Sequence, residues 1–259
     1  MIEEPYRWVE AIANRREYIE TQLAAGRPIA ALSYRDGILF LTLGRVRQKI
    51  FEIYDRIGMG AIGHPGDIER LRMAAIELAS TEGFTRSAAD VSLRRLAHYS
   101  LSPVMKNAFE QVYGAPFLAR LLFAEVGPKP EEDLFLRVEY DGAIATNSAG
   151  VSPTRLGFAV LGATKQAAEL MEAFLEKQHS AGADLEKTIE TALDAWSIGH
   201  MAMGEDGVKE LPEPTAIAKH SQEQFAERGV EAAILERASK AAIRYRDLSD
   251  EEVGSAIKR

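Results

Sequence analysis

Cysteine is absent from the 259 residues, which removes disulfides, cysteine-ligated zinc, iron–sulfur clusters and a thiol nucleophile. No apolar run approaches the ~20 residues that cross a bilayer. The longest comparable run, Ile38–Leu43, has the length of a strand. Base is not in excess either: 31 Lys and Arg stand against 39 Asp and Glu, and a net charge of −8 weighs against coating nucleic acid or an anionic membrane. The first residues, Met-Ile-Glu-Glu-Pro-Tyr-Arg-Trp, are acidic where a signal peptide is basic, so a cytoplasmic protein is expected. With 46% hydrophobic and 27% charged residues the chain is neither disordered nor low in complexity, and its length permits one large domain or two small ones.

Hydrophobic periodicity places an amphipathic helix first. Trp8, Ile12, Ile19 and Leu23 recur at helical spacing behind a short tail closed by Pro5, and Gly26 ends the pattern. Two hairpins follow. Ile29–Tyr34 and Ile38–Leu43 flank Arg35-Asp36-Gly37, a strong hairpin signal, and Lys49–Asp55 precedes Ile57–Gly63. Helices are predicted over Asp67–Ser80 and from a cap at Asp90 to Gly114. Strands return at Phe117–Val126, Leu134–Tyr140, Ala143–Thr146 and Leu156–Leu161, with a second Asp-Gly turn at Asp141-Gly142. Helices over Thr164–His179 and Asp184–Met203 precede a closing strand pair near Val230–Glu236 and Ala242–Tyr245, and Pro212–Pro214 reads as a short loop. Helices paired between hairpin-connected strands exclude singly alternating βαβ units. The order fits an α+β four-layer αββα sandwich: two antiparallel sheets face to face, each covered outside by a helix pair.

Three features carry candidate chemistry. Gly58-Met59-Gly60-Ala61-Ile62-Gly63 matches the dinucleotide pattern G-x-G-x-x-G, which would make the chain an oxidoreductase. Against this, Pro65 and Asp67 put the helix start beyond the last glycine, where the motif needs it within the loop, so small residues in a packed strand are expected. The five histidines, His64, His98, His179, His200 and His220, show no metal-ligand spacing and are expected at the surface or as caps; no metal and no cofactor is expected. Lys49 opens a strand whose inward positions are apolar. It either snorkels to the edge or presents its ammonium to an anion.

The segments Gly26–Leu43, Gln48–Arg56 with Gly63 beyond, and Val138–Ala145 followed by Gly157–Gly162 resemble proteasome core-particle subunits, and the bacterial α type above all. The resemblance implies the Ntn-hydrolase αββα sandwich, with residues 1–25 as a gate tail and helix and residues 26–259 as one domain. Registering the Asp36-Gly37 turn on the family's first hairpin puts Arg27 at the nucleophile position, Leu43 at the catalytic aspartate and Lys49 at the lysine. Arginine lacks the hydroxyl that this catalysis needs, so a non-catalytic α subunit is implied. A self-processing β-like threonine peptidase is the alternative.

An α subunit would form a homomeric heptameric ring stacked on catalytic β subunits and dock the C-terminal tails of a ring-shaped ATPase activator. The family's tail pocket maps onto Gly26, Lys49 and Gly63, the gate onto Ile2, Glu3, Glu4, Pro5, Tyr6 and Arg7, and the ring-contact helix onto Trp8, Ile12, Ile19 and Leu23. The Tyr-Asp-Arg signature of archaeal and eukaryotic α subunits is missing from the N-terminus, since Tyr54-Asp55-Arg56 is read as lying in a strand, and His64 stands where the family more often has an apolar residue.

Overall fold

In the computed structural model, residues 5–44, 46–111, 114–146, 157–204, 206–239 and 243–257 are described. β1 (Ile29–Tyr34) and β2 (Gly37–Leu43) form the predicted hairpin around Arg35-Asp36. Gly37 sits opposite Tyr34 as the first residue of β2, with no positive φ. A neighbouring strand explains it: a Cβ there would lie 2.1 Å from the Leu235 carbonyl oxygen.

β3 (Ile50–Tyr54) and β4 (Ile57–Gly63) form the second hairpin, followed by α2 (Pro65–Thr85), α3 (Leu93–Arg95), a π turn (Leu96–Leu101) and α4 (Ser102–Glu110). The π turn has a local cause. Pro103 has no N–H to continue the ladder, and ahead of it the Ser102 N–H reaches back five residues to the Ala97 carbonyl. The cap predicted at Asp90 is instead Ser92, whose hydroxyl accepts from the Arg95 N–H at 3.5 Å; Asp90 ends a short 3-10 turn.

Next come β5 (Ala119–Glu125), β6 (Leu134–Val138), β7 (Ile144–Thr146) and β8 (Phe158–Leu161), then α5 (Lys165–Gln178) and α6 (Leu185–Met201). The Asp141-Gly142 turn holds Gly142 at φ 79°, the left-handed position of a short hairpin loop. The chain closes with α7 (Pro214–Arg228), β9 (Val230–Glu236), β10 (Tyr245–Asp247) and α8 (Asp250–Ile257). Pro214 is therefore helical, and the last strand runs later than predicted. Leu156 and Ala242, predicted strand residues, lie outside the described residues, as do Ile2, Glu3 and Glu4.

The strands form two five-stranded antiparallel sheets, ordered β10-β9-β2-β1-β8 and β3-β4-β5-β6-β7. Period-2 alternation assigns the faces. Ala30, Leu32, Leu39 and Leu41 pack outward against Met171, Leu175 and Trp196 of α5 and α6. Met59, Ala61, Leu121 and Phe123 pack outward against Ile68, Leu71 and Met105 of α2 and α4. Between the sheets lie Ile29, Ile38, Phe40, Leu122 and Phe135. Four layers result, αββα.

α1 (Pro5–Leu23) begins at Pro5, earlier than the predicted tail allows, because proline is well tolerated in a first helical turn. Pro5, Tyr6 and Arg7 belong to the helix. Ile19 and Leu23 are wholly buried in the intersheet core. Arg120, nearly buried, holds the same end of α1: its guanidinium donates to both Glu20 oxygens at 2.6 Å and to Glu139 Oε2 at 2.7 Å, and Tyr140 Oη donates to Glu20 Oε1 at 2.8 Å. Ile19 and Leu23 therefore serve this chain's own core and cannot touch a neighbour, whereas Trp8 stays exposed.

Candidate functional site: a basic cleft at one end of the sandwich

Antiparallel pairing brings the start of β1, the β2–β3 connection and the end of β4 to the same end of the sandwich. There a cleft of about 450 Å³ opens between the sheets and the first turn of α2. Gly26, Lys49 and Gly63, far apart in sequence, all line it, as do Arg27, Arg47 and Glu69; Phe51, Ile62 and Ile68 supply its apolar wall. Among the described residues that line it there is no serine, threonine, cysteine or histidine. Leu43 is buried, and the nearby Thr42 hydroxyl donates to the Pro28 carbonyl at 2.7 Å inside the core.

Lys49 neither snorkels freely nor stands alone. Its Nζ donates to the Gly44 carbonyl at 2.6 Å and the Arg47 carbonyl at 3.3 Å, and lies 3.5 Å from Glu231 Oε2. Glu231 Oε1 accepts the backbone N–H groups of Lys49 and Ile50, both at 2.7 Å. Burial lowers the Lys49 pKa, with Glu231 pulling it back up and Arg27 adding to the lowering. Arg27 is likewise lowered, first by burial and then by Arg228, with Glu227 opposing.

Both pocket glycines have internal reasons. A Cβ on Gly26 would lie 2.0 Å from Ile62 Cγ2, and Gly63, at φ 141°, would put one 2.0 Å from the Leu118 carbonyl oxygen. His64 caps α2, its Nδ1 accepting from the Gly66 N–H at 3.2 Å. The G-x-G-x-x-G segment is strand β4 throughout and α2 starts after it, so it makes no phosphate-binding turn. Gly58 and Gly60 instead admit Phe40 and Ile29 of the facing sheet: added Cβ atoms would meet them at 2.9 and 3.1 Å. No group of His, Asp or Glu among the described residues could hold a metal ion, and no described helix is long and apolar enough to cross a membrane.

Sequence periodicity missed α7 and the polar ladder that docks it. Ser221 Oγ lies 2.8 Å from Ser197 Oγ and donates to Asp194 Oδ1 at 3.2 Å; His220 Nε2 lies 3.0 Å from His200 Nδ1, and His200 stacks on Trp196. Burial pulls His200 down to about 4, with His220, Arg228 and Arg27 contributing, and His220 is lowered mainly by burial; His179, half-buried against Phe158, also falls to about 4. The folded state thus prefers these rings neutral, while the unfolded chain protonates them near 6.5. Their contribution to stability is complete above pH 6.5 and drains away as pH falls toward 4. Thermal melts should show a falling midpoint across that window, and a His200→Gln and His220→Gln double variant should show a shallower fall.

Two facing antiparallel sheets with helices outside both define the four-layer sandwich class, of the Ntn-hydrolase type. Within that class the proteasome subunit family matches residues 25–208, from just past α1 to beyond α6. The chain is 34% identical over 193 residues to the proteasome subunit alpha of Streptomyces griseus, covering 73% of this chain and 66% of that protein. It is 33% identical to that of Streptomyces scabiei (73% and 72% covered) and 32% identical to that of Streptomyces coelicolor (73% and 70% covered). The chain belongs to the proteasome subunit family, and its relatives place it with the α type.

Proposed function

We propose that this chain is a non-catalytic α subunit that assembles into the outer heptameric ring of a cytoplasmic proteasome core particle, stacks on catalytic β subunits, gates substrate entry and docks a ring-shaped ATPase activator. The observation that carries this reading is the end cleft. Arg27, which the resemblance registers at the nucleophile position, lines it, and an arginine there supplies no hydroxyl for catalysis. Gly26, Lys49 and Gly63, the tail-pocket positions of the family, meet in that cleft. The gate is assigned to Ile2, Glu3, Glu4, Pro5, Tyr6 and Arg7, the last three rising into α1.

The test is co-expression with candidate β subunits, followed by particle imaging and peptidase assay. The chain alone should retain its N-terminus by intact mass and hydrolyse no peptide. Stacked rings should form with the β subunit and cleave peptides in a manner blocked by threonine-directed inhibitors, and removal of residues 2–7 should raise peptide entry several-fold. Hydrolysis by the chain alone, with about 26 residues lost from its N-terminus, would favour the self-processing peptidase.

A further inference from the structure

The end of the sandwich opposite the cleft carries a second groove, of about 680 Å³, between the β3–β4 turn, the start of α3, the β5–β6 loop and the segment joining β9 to β10. Four arginines line it, Arg56, Arg94, Arg237 and Arg244, against two acids, Glu125 and Glu132. Each guanidinium has five N–H donors, and their partners separate the four. Arg237 is spent on Asp133 and on the carbonyls of Tyr34, Arg35, Gly37 and Gly127. Arg56 gives Nε to Glu125 Oε1 at 2.8 Å and Nη2 to the carbonyls of Val91 and Ala89 at 2.9 and 3.4 Å, which leaves Nη1. Arg244 gives Nη1 alone, to the Arg237 carbonyl at 2.8 Å. Arg94 gives nothing, and among the described residues neither it nor Arg244 has an ion-pair partner.

The acids do not make up the difference. Glu125 has both oxygens occupied, by Arg56 and by the Leu93 N–H at 2.8 Å. Glu132 is the remaining acid on the groove wall, one carboxylate against two free guanidinium groups. Acids outnumber bases in this chain by 39 to 31, so a groove with a surplus of cations runs against the sequence as a whole. Arg244 is half-buried, and taking a cation part of the way out of water without an acid is costly. An incoming oxyanion removes that cost, and the guanidinium fork is shaped to receive one. Ser92, which also lines the groove, accepts the Arg95 N–H and, among the described residues, keeps its own O–H uncommitted. The free donors thus arrive from three sides: the β3–β4 turn, the start of α3 and the residue ahead of β10. A planar carboxylate offers two oxygens and one charge. A phosphoryl group offers three oxygens, tetrahedrally disposed, and close to two charges at neutral pH.

We propose that this groove is a binding site for a phosphoryl dianion, with Arg94 and Arg244 as its charge partners, Ser92 and Arg56 Nη1 as further donors, and Glu132 as the group that opposes it. The site is separate from the end cleft and from ring assembly, so its failure would leave the α-subunit reading untouched.

Titration calorimetry of the full chain with inorganic phosphate and with phenyl phosphate, ionic strength held constant with chloride, tests the assignment. The wild type should bind saturably at one site. Arg94→Gln and Arg244→Gln should each weaken binding about tenfold, the scale of one hydrogen-bonded contact to a charged group, and the double variant should abolish it. Glu132→Gln should tighten binding roughly threefold, the scale of a solvent-screened charge pair. Arg94 is exposed, so Arg94→Gln keeps the fold and the test even where Arg244→Gln disturbs the approach to β10. Phenyl phosphate bound at least as tightly as phosphate assigns the ligand to a phosphate ester; tighter binding of inorganic phosphate assigns it to the free ion; either result supports the site. No saturable heat up to about 10 mM of either probe, an affinity that both arginine variants leave unchanged, or acetate bound as tightly as phosphate would overturn the proposal.

Discussion

Replacing Arg237 by Met should lower the free energy of unfolding by about 3–5 kcal/mol, the scale of a buried ion pair broken on one side. Arg237 leaves β9 at the end of the sandwich opposite the cleft, and its side chain is 9% exposed against 0% for its partner, Asp133. The contact is two-pronged, Nη1 to Oδ1 at 2.7 Å and Nη2 to Oδ2 at 2.9 Å. Asp133 also accepts from Ser33 Oγ at 2.6 Å and the Gly127 N–H at 2.9 Å, while Arg237 donates to the carbonyls of Gly127, Tyr34 and Gly37. One pair thereby ties β1, the β1–β2 turn, the β5–β6 loop and β9, joining the two sheets. Met fills much of the volume but leaves a carboxylate out of water without its counter-charge. Urea unfolding should show the loss as a lower midpoint, and Asp133→Asn in the Arg237→Met background should recover part of it by removing the stranded charge. An unshifted midpoint would mean that water reaches Asp133.

The same pair marks where sequence reading stops. The hairpins were legible because strand, turn and strand are contiguous and each signal is local, and β1 and β4 fall on the predicted residues. Gly37 was read as a turn residue, whereas the nearness of Leu235, almost two hundred residues away, explains it. α7 was overlooked because its periodicity is faint: only Ile217 and Ser221 are buried, and hydroxyls and imidazoles do the docking. Pro214 at its start and Gly229 at its end were available punctuation. α8 carried a signal too, since Ser249 and Glu252 form a reciprocal capping box, Glu252 Oε2 accepting the Ser249 N–H at 2.8 Å and Ser249 Oγ the Glu252 N–H at 3.3 Å.

In the cleft, spacing along one strand singled out Lys49 but could not supply Glu231, which comes from the other sheet. Arg27 drew notice for the hydroxyl it lacks.

The α1 helix separates two effects that sequence spacing merges. Trp8, Ile12, Ile19 and Leu23 form one stripe at helical spacing, yet its inner half is consumed by the intersheet core and its outer half runs past the support of Arg120. Trp8 is 41% exposed and Val9 67%. Leu23→Ala should cost about 2–5 kcal/mol of folding stability, as for other large-to-small core changes. Trp8→Glu combined with Val9→Glu should alter monomer stability by no more than about 0.5 kcal/mol, because both sites face solvent in the single chain. If the outer half of α1 is the ring contact, the paired charges would be desolvated at each of its interfaces and the ring should disperse. Native mass spectrometry and size exclusion then read a loss of rings without a change in the melt. Rings that persist in the double variant would place the contact elsewhere on the subunit.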